Sequence, residues 1–182
     1  MSWQAAFPHS TPTAHVLRIV RRSRWVRFHT LPGSERIASG EQDRAEVLRR
    51  YHAVLDSVAS PDTAVVVITG AWAPTEDTEI ARTDEIAAML PAAFWMTTEA
   101  DGSDLAGELH ASEGVVSDPS LDDLLLLVAD DKTAEVIIAA PDFSWLVCPY
   151  DGGLDVIARN AAERDEVRER FADWLSPLES GL

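Results

Sequence analysis

The sequence predicts an α+β fold with a mostly antiparallel sheet, including a C-terminal three-stranded meander, packed by three to four helices. Two observations lead to this fold class. Three short apolar stretches separated by turn sequences fill much of the last third, and helical periodicity appears over about 40–58 and again after Asn160. Strands and helices follow one another without regular alternation, so we expect antiparallel pairing rather than a parallel α/β sheet.

The C-terminal meander is the clearest part of the pattern. The apolar stretches AEVIIAA, SWLVCPY and LDVIAR are joined by PDF and DGG, which supply turn residues at both joints. Asn160 can then cap a final helix, with Glu163 at its third position. The apolar stripe of this helix consists of Val167, Phe171, Trp174 and Leu175.

The N-terminal segment predicts an arm followed by a basic hairpin. Residues 1–14 contain three prolines and no periodicity, so we expect an arm ahead of a single domain, 15–182. The stretch 16–30 is β-branched, aromatic and rich in arginine. Its RRSR sequence suits a bend between two strands, and Pro32-Gly33 ends the second strand.

The central part of the chain predicts a long helix and several strands. Ser39, with Gln42 three residues later, can cap the helix over about 40–58. The wholly apolar, β-branched run 64–69 predicts a buried central strand. Part of 71–92 is expected to be helical, and strands are expected at 94–98 and 108–116.

Residues 120–129 fit either a helix or a strand. The acids Asp122 and Asp123 suit the first turn of a helix, which favours helix over strand.

Charge is distributed unevenly along the chain. The formal net charge is -16, and residues 61–131 hold sixteen acids against one arginine, whereas residues 1–60 hold nine arginines and five acids. An acidic segment of this strength repels phosphate backbones within a Debye length, about 8 Å in physiological salt. We therefore expect no nucleic-acid partner and consider a basic protein surface the natural complement.

Sequence features disfavour several classes of protein. The single cysteine, Cys148, permits no intramolecular disulfide. The N-terminus does not resemble a secretory signal, and the longest apolar run, 124–129, is far shorter than the ~20 residues that span a bilayer. No phosphate-binding loop, dinucleotide fingerprint, G-x-S-x-G motif or metal-binding histidine spacing is present. We expect a cytoplasmic protein without membrane contact, cofactor or metal, and these absences disfavour an enzyme without excluding one.

One candidate ligand-binding site lies in the basic strand. Alternation places Val26 and Phe28 on the core side and Trp25, Arg27 and His29 on the other side. These three side chains could hold a carboxylate or phosphate by charge-assisted hydrogen bonds and cation–π contact. The alternative is a half-exposed sheet face whose arginine pairs with nearby acids.

Two further segments are candidate sites with simpler structural explanations. Around CPYDGGLD, the side chains of Tyr150, Asp151 and Asp155 could surround a ligand, although a structural hairpin turn is favoured. The acidic pairs of 120–131 are candidate partner-binding residues, although runs of this kind are usually solvated; these are Asp122, Asp123, Asp130 and Asp131.

Two of the six tryptophans lie in segments with weak structure signals. These are Trp3 and Trp72, which we therefore expect to be exposed contact residues.

Two segments together resemble an uncharacterised family of small bacterial proteins. They are WVRFHTLPGSER, residues 25–36, and PYDGGLDVI, residues 149–157. The family has an early W-x-R-[FI]-H-S-L-P segment, then a helix, and a P-Y-D-G-G-x-D hairpin near a C-terminal helix. The resemblance covers about 15–182 and brings no activity with it. It implies that the candidate ligand-binding residues are neighbours in space; these are Trp25, Arg27, His29, Arg36, Tyr150 and Asp151.

The sequence favours an intracellular acidic protein-binding module, for example an immunity- or inhibitor-type protein for a basic partner such as a nuclease toxin. The alternative is a small-molecule or anion-binding protein, with or without enzymatic activity, that uses the Trp25, Arg27 and His29 face with Tyr150 and Asp151. A third hypothesis places the function in a homo-oligomer interface.

Overall fold

The structure, a computed structural model, describes residues 2–75, 80–99 and 105–176. The helices within these ranges are α1 (Trp3–Ala6), α2 (Ala14–Val20), α3 (Glu41–Val58), α4 (Asp84–Met89), α5 (Pro119–Ala129) and α6 (Ala161–Arg170). The strands are β1 (Trp25–His29), β2 (Ala64–Pro74), β3 (Ala93–Glu99), β4 (Leu105–Val115), β5 (Ile137–Ala139), β6 (Leu146–Tyr150) and β7 (Gly153–Ile157).

The seven strands form one sheet in the order β1-β7-β6-β5-β2-β4-β3, and every neighbouring pair is antiparallel. The predicted fold class is therefore confirmed. The predicted meander corresponds to β5, β6 and β7, and the apolar run 64–69 begins a longer interior strand, β2. Residues 120–129 lie in helix α5, so the strand alternative is wrong.

Apolar side chains cover both faces of the sheet. On one face, α3, α5 and α6 pack against residues such as Phe28, Val67 and Val156. On the other face, α1 and α2 contribute Trp3 and Leu17 to a second cluster. The fold thus has a helix–sheet–helix arrangement, and none of the described helices is long and apolar enough to cross a membrane.

Residues 2–14 are packed against the sheet rather than standing apart from it as an arm. Trp3 and Phe7 are buried and their rings stack with centroids 4.6 Å apart. The indole of Trp3 also meets Phe143 edge-on and donates a hydrogen bond to the Ser10 carbonyl at 2.8 Å. The expectation that Trp3 is exposed is therefore wrong, because the second face of the sheet needs large aromatic side chains to cover it.

The predicted first strand of the basic hairpin is also wrong. Residues 14–20 form helix α2, a 3-10 turn covers 22–24, and the strand β1 begins only at Trp25. The β-branched composition of this segment suggested a strand. A helix instead directs Leu17 into the second apolar cluster, so tertiary packing overrides the local preference.

Of the two predicted helix caps, that of α6 is confirmed and that of α3 is wrong. The Asn160 side chain accepts a hydrogen bond from the Glu163 amide, as predicted. Ser39 does not cap α3, whose N-cap is Gly40. Instead Ser39 donates from its amide and hydroxyl to the Asp43 carboxylate, and these bonds lower the pKa of Asp43.

Acid titration is expected to remove a stabilising contribution from Glu46 in α3. Hydrogen bonds from Arg49 and, next, from Arg50 lower the pKa of Glu46 from 4.5 to about 2, against the opposing effect of burial. A carboxyl whose pKa is lower in the folded state stabilises the fold above its unfolded pKa. This contribution is lost as the pH falls from about 4.5 towards 2.

Urea unfolding of the wild type and Glu46→Gln at about pH 7 and about pH 2.5 tests this linkage. At about pH 7 the free energy of unfolding of the wild type should exceed that of Glu46→Gln. At about pH 2.5 the two free energies should become nearly equal. If the free energies of unfolding of the wild type and Glu46→Gln differ by the same amount at both pH values, the linkage is contradicted.

Candidate functional site

The register of three strands collects the candidate ligand-binding residues at one end of the sheet. In β1 and β7, Arg27 lies opposite Asp155 and His29 lies opposite Gly153. In β6 and β7, Tyr150 lies opposite Gly153. The two segments that sequence resemblance brought together are therefore adjacent, on the face that α2 covers.

Arg27 forms a buried, two-pronged ion pair with Asp155. Its Nε and Nη2 donate to the two carboxylate oxygens at 2.7 and 2.9 Å. The two side chains are only 13% and 3% exposed. Burial lowers the pKa of Arg27, but the hydrogen bonds and the charge of Asp155 outweigh it and raise the pKa overall. The guanidinium is thus held charged inside the protein by an internal partner.

Aromatic rings flank the Arg27 guanidinium. It lies 4.6 Å from the centre of the Tyr150 ring and 5.6 Å from that of Trp25. Trp25 is buried in the second apolar cluster. The predicted triplet is thus a packed face, and its arginine pairs with an acid, as in the simpler of the two interpretations.

The β6–β7 hairpin packs tightly between β1 and α3. Gly152 has a φ of 83°, which favours glycine at this turn. The Tyr51 hydroxyl donates to the carbonyls of Tyr150 and Gly153, at 3.3 and 3.2 Å. Arg36 lies over Gly152 and forms an ion pair with Asp151 at the surface. The turn is thus fixed from both sides.

The surroundings of His29, beside this cluster, favour its neutral form. Burial lowers its pKa, a hydrogen bond with the Gly152 backbone opposes the change, and the charges of Arg27 and Arg50 lower the pKa further. Its Nε2 and the Nε1 of Trp25 are buried without a hydrogen-bond partner among the described residues. His29 is therefore poorly suited to supply positive charge for an anion near neutral pH.

The role of Asp155 as the partner of Arg27 was not identified from the sequence. The only available signal was a lone acid at an inward position of an apolar strand, and its partner lies 128 residues away. In the sheet, Asp155 of β7 lies between Arg27 of β1 and Cys148 of β6. Burial, then the charges of Asp155 and Glu135, raise the pKa of Cys148, so its side chain is a packed thiol rather than a nucleophile.

The four predicted partner-binding acids are not equivalent. Asp130, near the end of α5, accepts two hydrogen bonds from Arg44 at 2.7 Å and pairs with Lys132 at 3.4 Å. Asp122, near the start of α5, contacts His52 at 2.8 Å. Asp123 and Asp131 are exposed. The chain's own cations thus neutralise the C-terminal end of α5 and leave its N-terminal end acidic.

The same end of the molecule receives further carboxylates from neighbouring elements. The contacts of Arg44 with Asp130 and of His52 with Asp122 show that α3 and α5 run antiparallel. The C-terminal end of α3 therefore lies beside the N-terminal end of α5. The group of acids at this end is called the α3–α5 acidic surface and consists of Asp56, Asp62, Asp118, Asp122 and Asp123.

Fold and site together define a three-layer α+β protein with a buried Arg–Asp pair in its sheet and an acidic surface on one helical layer. The chain belongs to a family described as a domain of unknown function, DUF3885, whose model matches residues 13–179. The resemblance to an uncharacterised family is thus confirmed. No curated protein and no solved structure matches the chain.

Proposed function

We propose that this chain is an intracellular protein-binding module whose α3–α5 acidic surface engages a basic protein, as an immunity- or inhibitor-type protein does. One observation carries the proposal. None of the five carboxylates of this surface forms an ion pair with a lysine or arginine among the described residues, and His52 is the one basic group in contact with them. Their negative charge is therefore not cancelled by a cation of the described residues other than His52, and Asp118 in addition caps α5 by accepting from the Ser120 amide and hydroxyl.

Complementary charge would act mainly on the rate of association. Charged surfaces steer encounter and raise the association rate constant by orders of magnitude at low salt. The acids lie within one helical layer, so their fields add, and they repel polyanions such as nucleic acids. Asp130 is excluded from the partner surface because Arg44 already neutralises it.

The geometry gives less support to a small-molecule or anion site around Arg27. The Nε and Nη2 of Arg27 are both used by Asp155, and Tyr150 covers the face of its guanidinium. An anion would have to compete with a buried carboxylate already in place. The ring nitrogens Nε1 of Trp25 and Nε2 of His29 are buried without a hydrogen-bond partner among the described residues. Protein binding is therefore the better supported function.

The proposal is tested with basic proteins encoded by the genes next to that of this chain. Calorimetric titration at about 0.05 and 0.3 M salt should show affinity falling as salt screens the contact. In Asp56→Asn/Asp123→Asn we expect about a tenfold weaker affinity, since each rim charge contributes up to about 1 kcal/mol.

The matched control removes two exposed carboxylates elsewhere on the chain, in Glu35→Gln/Glu166→Gln. Both variants change the net charge equally, so a general effect of net charge would weaken binding in both. Equal losses in the two variants, or an affinity that does not depend on salt, would contradict the proposal.

A further inference from the structure

The four arginines within residues 18–24 lack acidic partners in the part of the chain that the structure describes. Arg18, Arg21, Arg22 and Arg24 form no ion pair with a carboxylate within the described ranges. Seven other arginines do form such pairs; they are Arg27, Arg36, Arg44, Arg49, Arg50, Arg159 and Arg164. Arg82, Arg168 and Arg170 also form no such pair within the described ranges, so what distinguishes 18–24 is that four unpaired arginines lie close together in the sequence.

Two of these four arginines have structural roles. Arg21 donates to the Ala6 carbonyl at 2.6 Å and lies over the Phe7 ring. Arg24 donates to the Arg159 carbonyl at 2.9 Å. Arg18 and Arg22 make no such backbone bond within the described ranges, although Arg22 lies 6.0 Å from the Trp25 ring. Arg22 is exposed and Arg18 is half-buried, and no carboxylate of the described residues pairs with either.

Exposed apolar side chains lie between these two arginines. Ile19 is 69% exposed and Val20 is 42% exposed, although both belong to a helix whose Leu17 is fully buried. Arginine next to apolar side chains is typical of the central part of protein interfaces. The group formed by Arg18, Ile19, Val20 and Arg22 is called the α2 patch.

The α2 patch and the α3–α5 acidic surface lie on opposite layers of the molecule. Helix α2 packs on the sheet face that carries Leu17, whereas α3 and α5 pack on the face that carries Val67 and Val156. A single chain cannot bring the two surfaces together. Two copies can, by stacking one above the other.

We propose that the chain associates head to tail with further copies of itself, with the α2 patch of one copy against the α3–α5 acidic surface of the next. Because the two surfaces differ and lie on opposite layers, this contact is heterologous and adds subunits one after another rather than closing a two-fold dimer. Charge complementarity favours a second copy as the partner of the α2 patch. The arginines of the patch have no carboxylate partner within the described part of their own chain, and the acidic surface of another copy supplies carboxylates.

The net charge of -16 does not prevent this contact in physiological salt. Repulsion between whole molecules acts over distances of several Debye lengths, each about 8 Å at 0.15 M, and is largely screened. Charge pairs at contact distance are screened much less. We therefore expect association that is weak, with dissociation constants on the order of 10 to 100 µM.

Sedimentation velocity of the chain alone, from about 10 µM to about 1 mM, tests the proposal. The average mass of the wild type should rise with concentration beyond that of a dimer. Arg18→Glu/Arg22→Glu and Asp56→Lys/Asp123→Lys should each remain monomeric. An equimolar mixture of the two should associate again, because the acidic surface of the first and the α2 patch of the second are intact and the two charge-reversed surfaces are again opposite in sign.

Recovery of association in the mixture also shows that both variants are folded. Charge-matched controls are Lys132→Glu/Arg168→Glu and Glu35→Lys/Glu166→Lys, which should associate as the wild type does. A wild type that stays monomeric or stops at a dimer, or a mixture that stays monomeric, would overturn the proposal. So would wild-type binding to phosphatidylserine vesicles that Arg18→Glu/Arg22→Glu abolishes, if the protein alone does not associate.

This inference shares the acidic surface with the proposed function but does not rest on it. The assay contains no other protein, so failure of self-association and failure of partner binding are separate results. If the chain both self-associates and binds a basic partner, the partner and a second copy compete for the same carboxylates. Partner binding would then disassemble the stack.

Discussion

Replacing Asp155 with alanine is expected to lower the free energy of unfolding by about 3 to 5 kcal/mol. The variant leaves the Arg27 guanidinium in a nearly closed environment without its carboxylate. The pKa of Arg27 is too high for the group to lose its proton, so the charge stays buried and unpaired. Urea unfolding, followed by tryptophan fluorescence, measures the loss.

Two further variants separate the buried charge from other causes. Asp151→Ala removes the acid of the exposed Arg36 pair in the same hairpin, where Arg36 is 72% exposed, and should cost less than about 1 kcal/mol. Arg27→Met/Asp155→Leu removes both charges and should recover most of the lost stability. If Asp155→Ala costs no more than Asp151→Ala, the pair is not a main contributor to stability.

Replacing Gly153 with alanine is the second large effect, expected to cost about 3 kcal/mol or more. A Cβ at this position would lie 2.6 Å from the Phe28 carbonyl oxygen and 2.5 Å from Cζ of Tyr150. The carbonyl belongs to a paired strand and cannot move without breaking the β1–β7 pairing. Tyr150 cannot move without leaving Arg27, with which it stacks.

Gly40→Ala is the matched control for this substitution. Gly40 has a φ of 178°, which is extended backbone, and an added Cβ would meet no atom within 4 Å. Thermal unfolding should therefore show Gly40→Ala close to the wild type and Gly153→Ala much less stable. Similar midpoints for the two variants would show that the hairpin can relax around an added methyl group.

The parts of the fold that the sequence predicted correctly are those specified by local signals. Turn residues at 151–153 and apolar runs on either side predict the β6–β7 hairpin without reference to the rest of the chain. The cap at Asn160 and the periodicity of 40–58 do the same for α6 and α3. These elements would be predicted in any context.

The parts that differ depend on contacts distant in the sequence. Helix α2 forms because Leu17 must reach an apolar cluster built mainly from the sheet, and Trp3 is buried for the same reason. The candidate site shows the same division. Its residues could be named, but the burial of Trp25 and the pairing of Arg27 with Asp155 depend on a strand register that no local pattern contains.

The pairing of β1 with β7 has a consequence for synthesis on the ribosome. Trp25 pairs with Ile157, so about 130 residues must be added after β1 leaves the peptidyl transferase centre before its hydrogen-bonding neighbour exists. At typical elongation rates of 5–20 residues per second this delay is on the order of ten seconds. During that time β1 has no partner strand, and an unpaired strand makes a partly folded chain prone to aggregation.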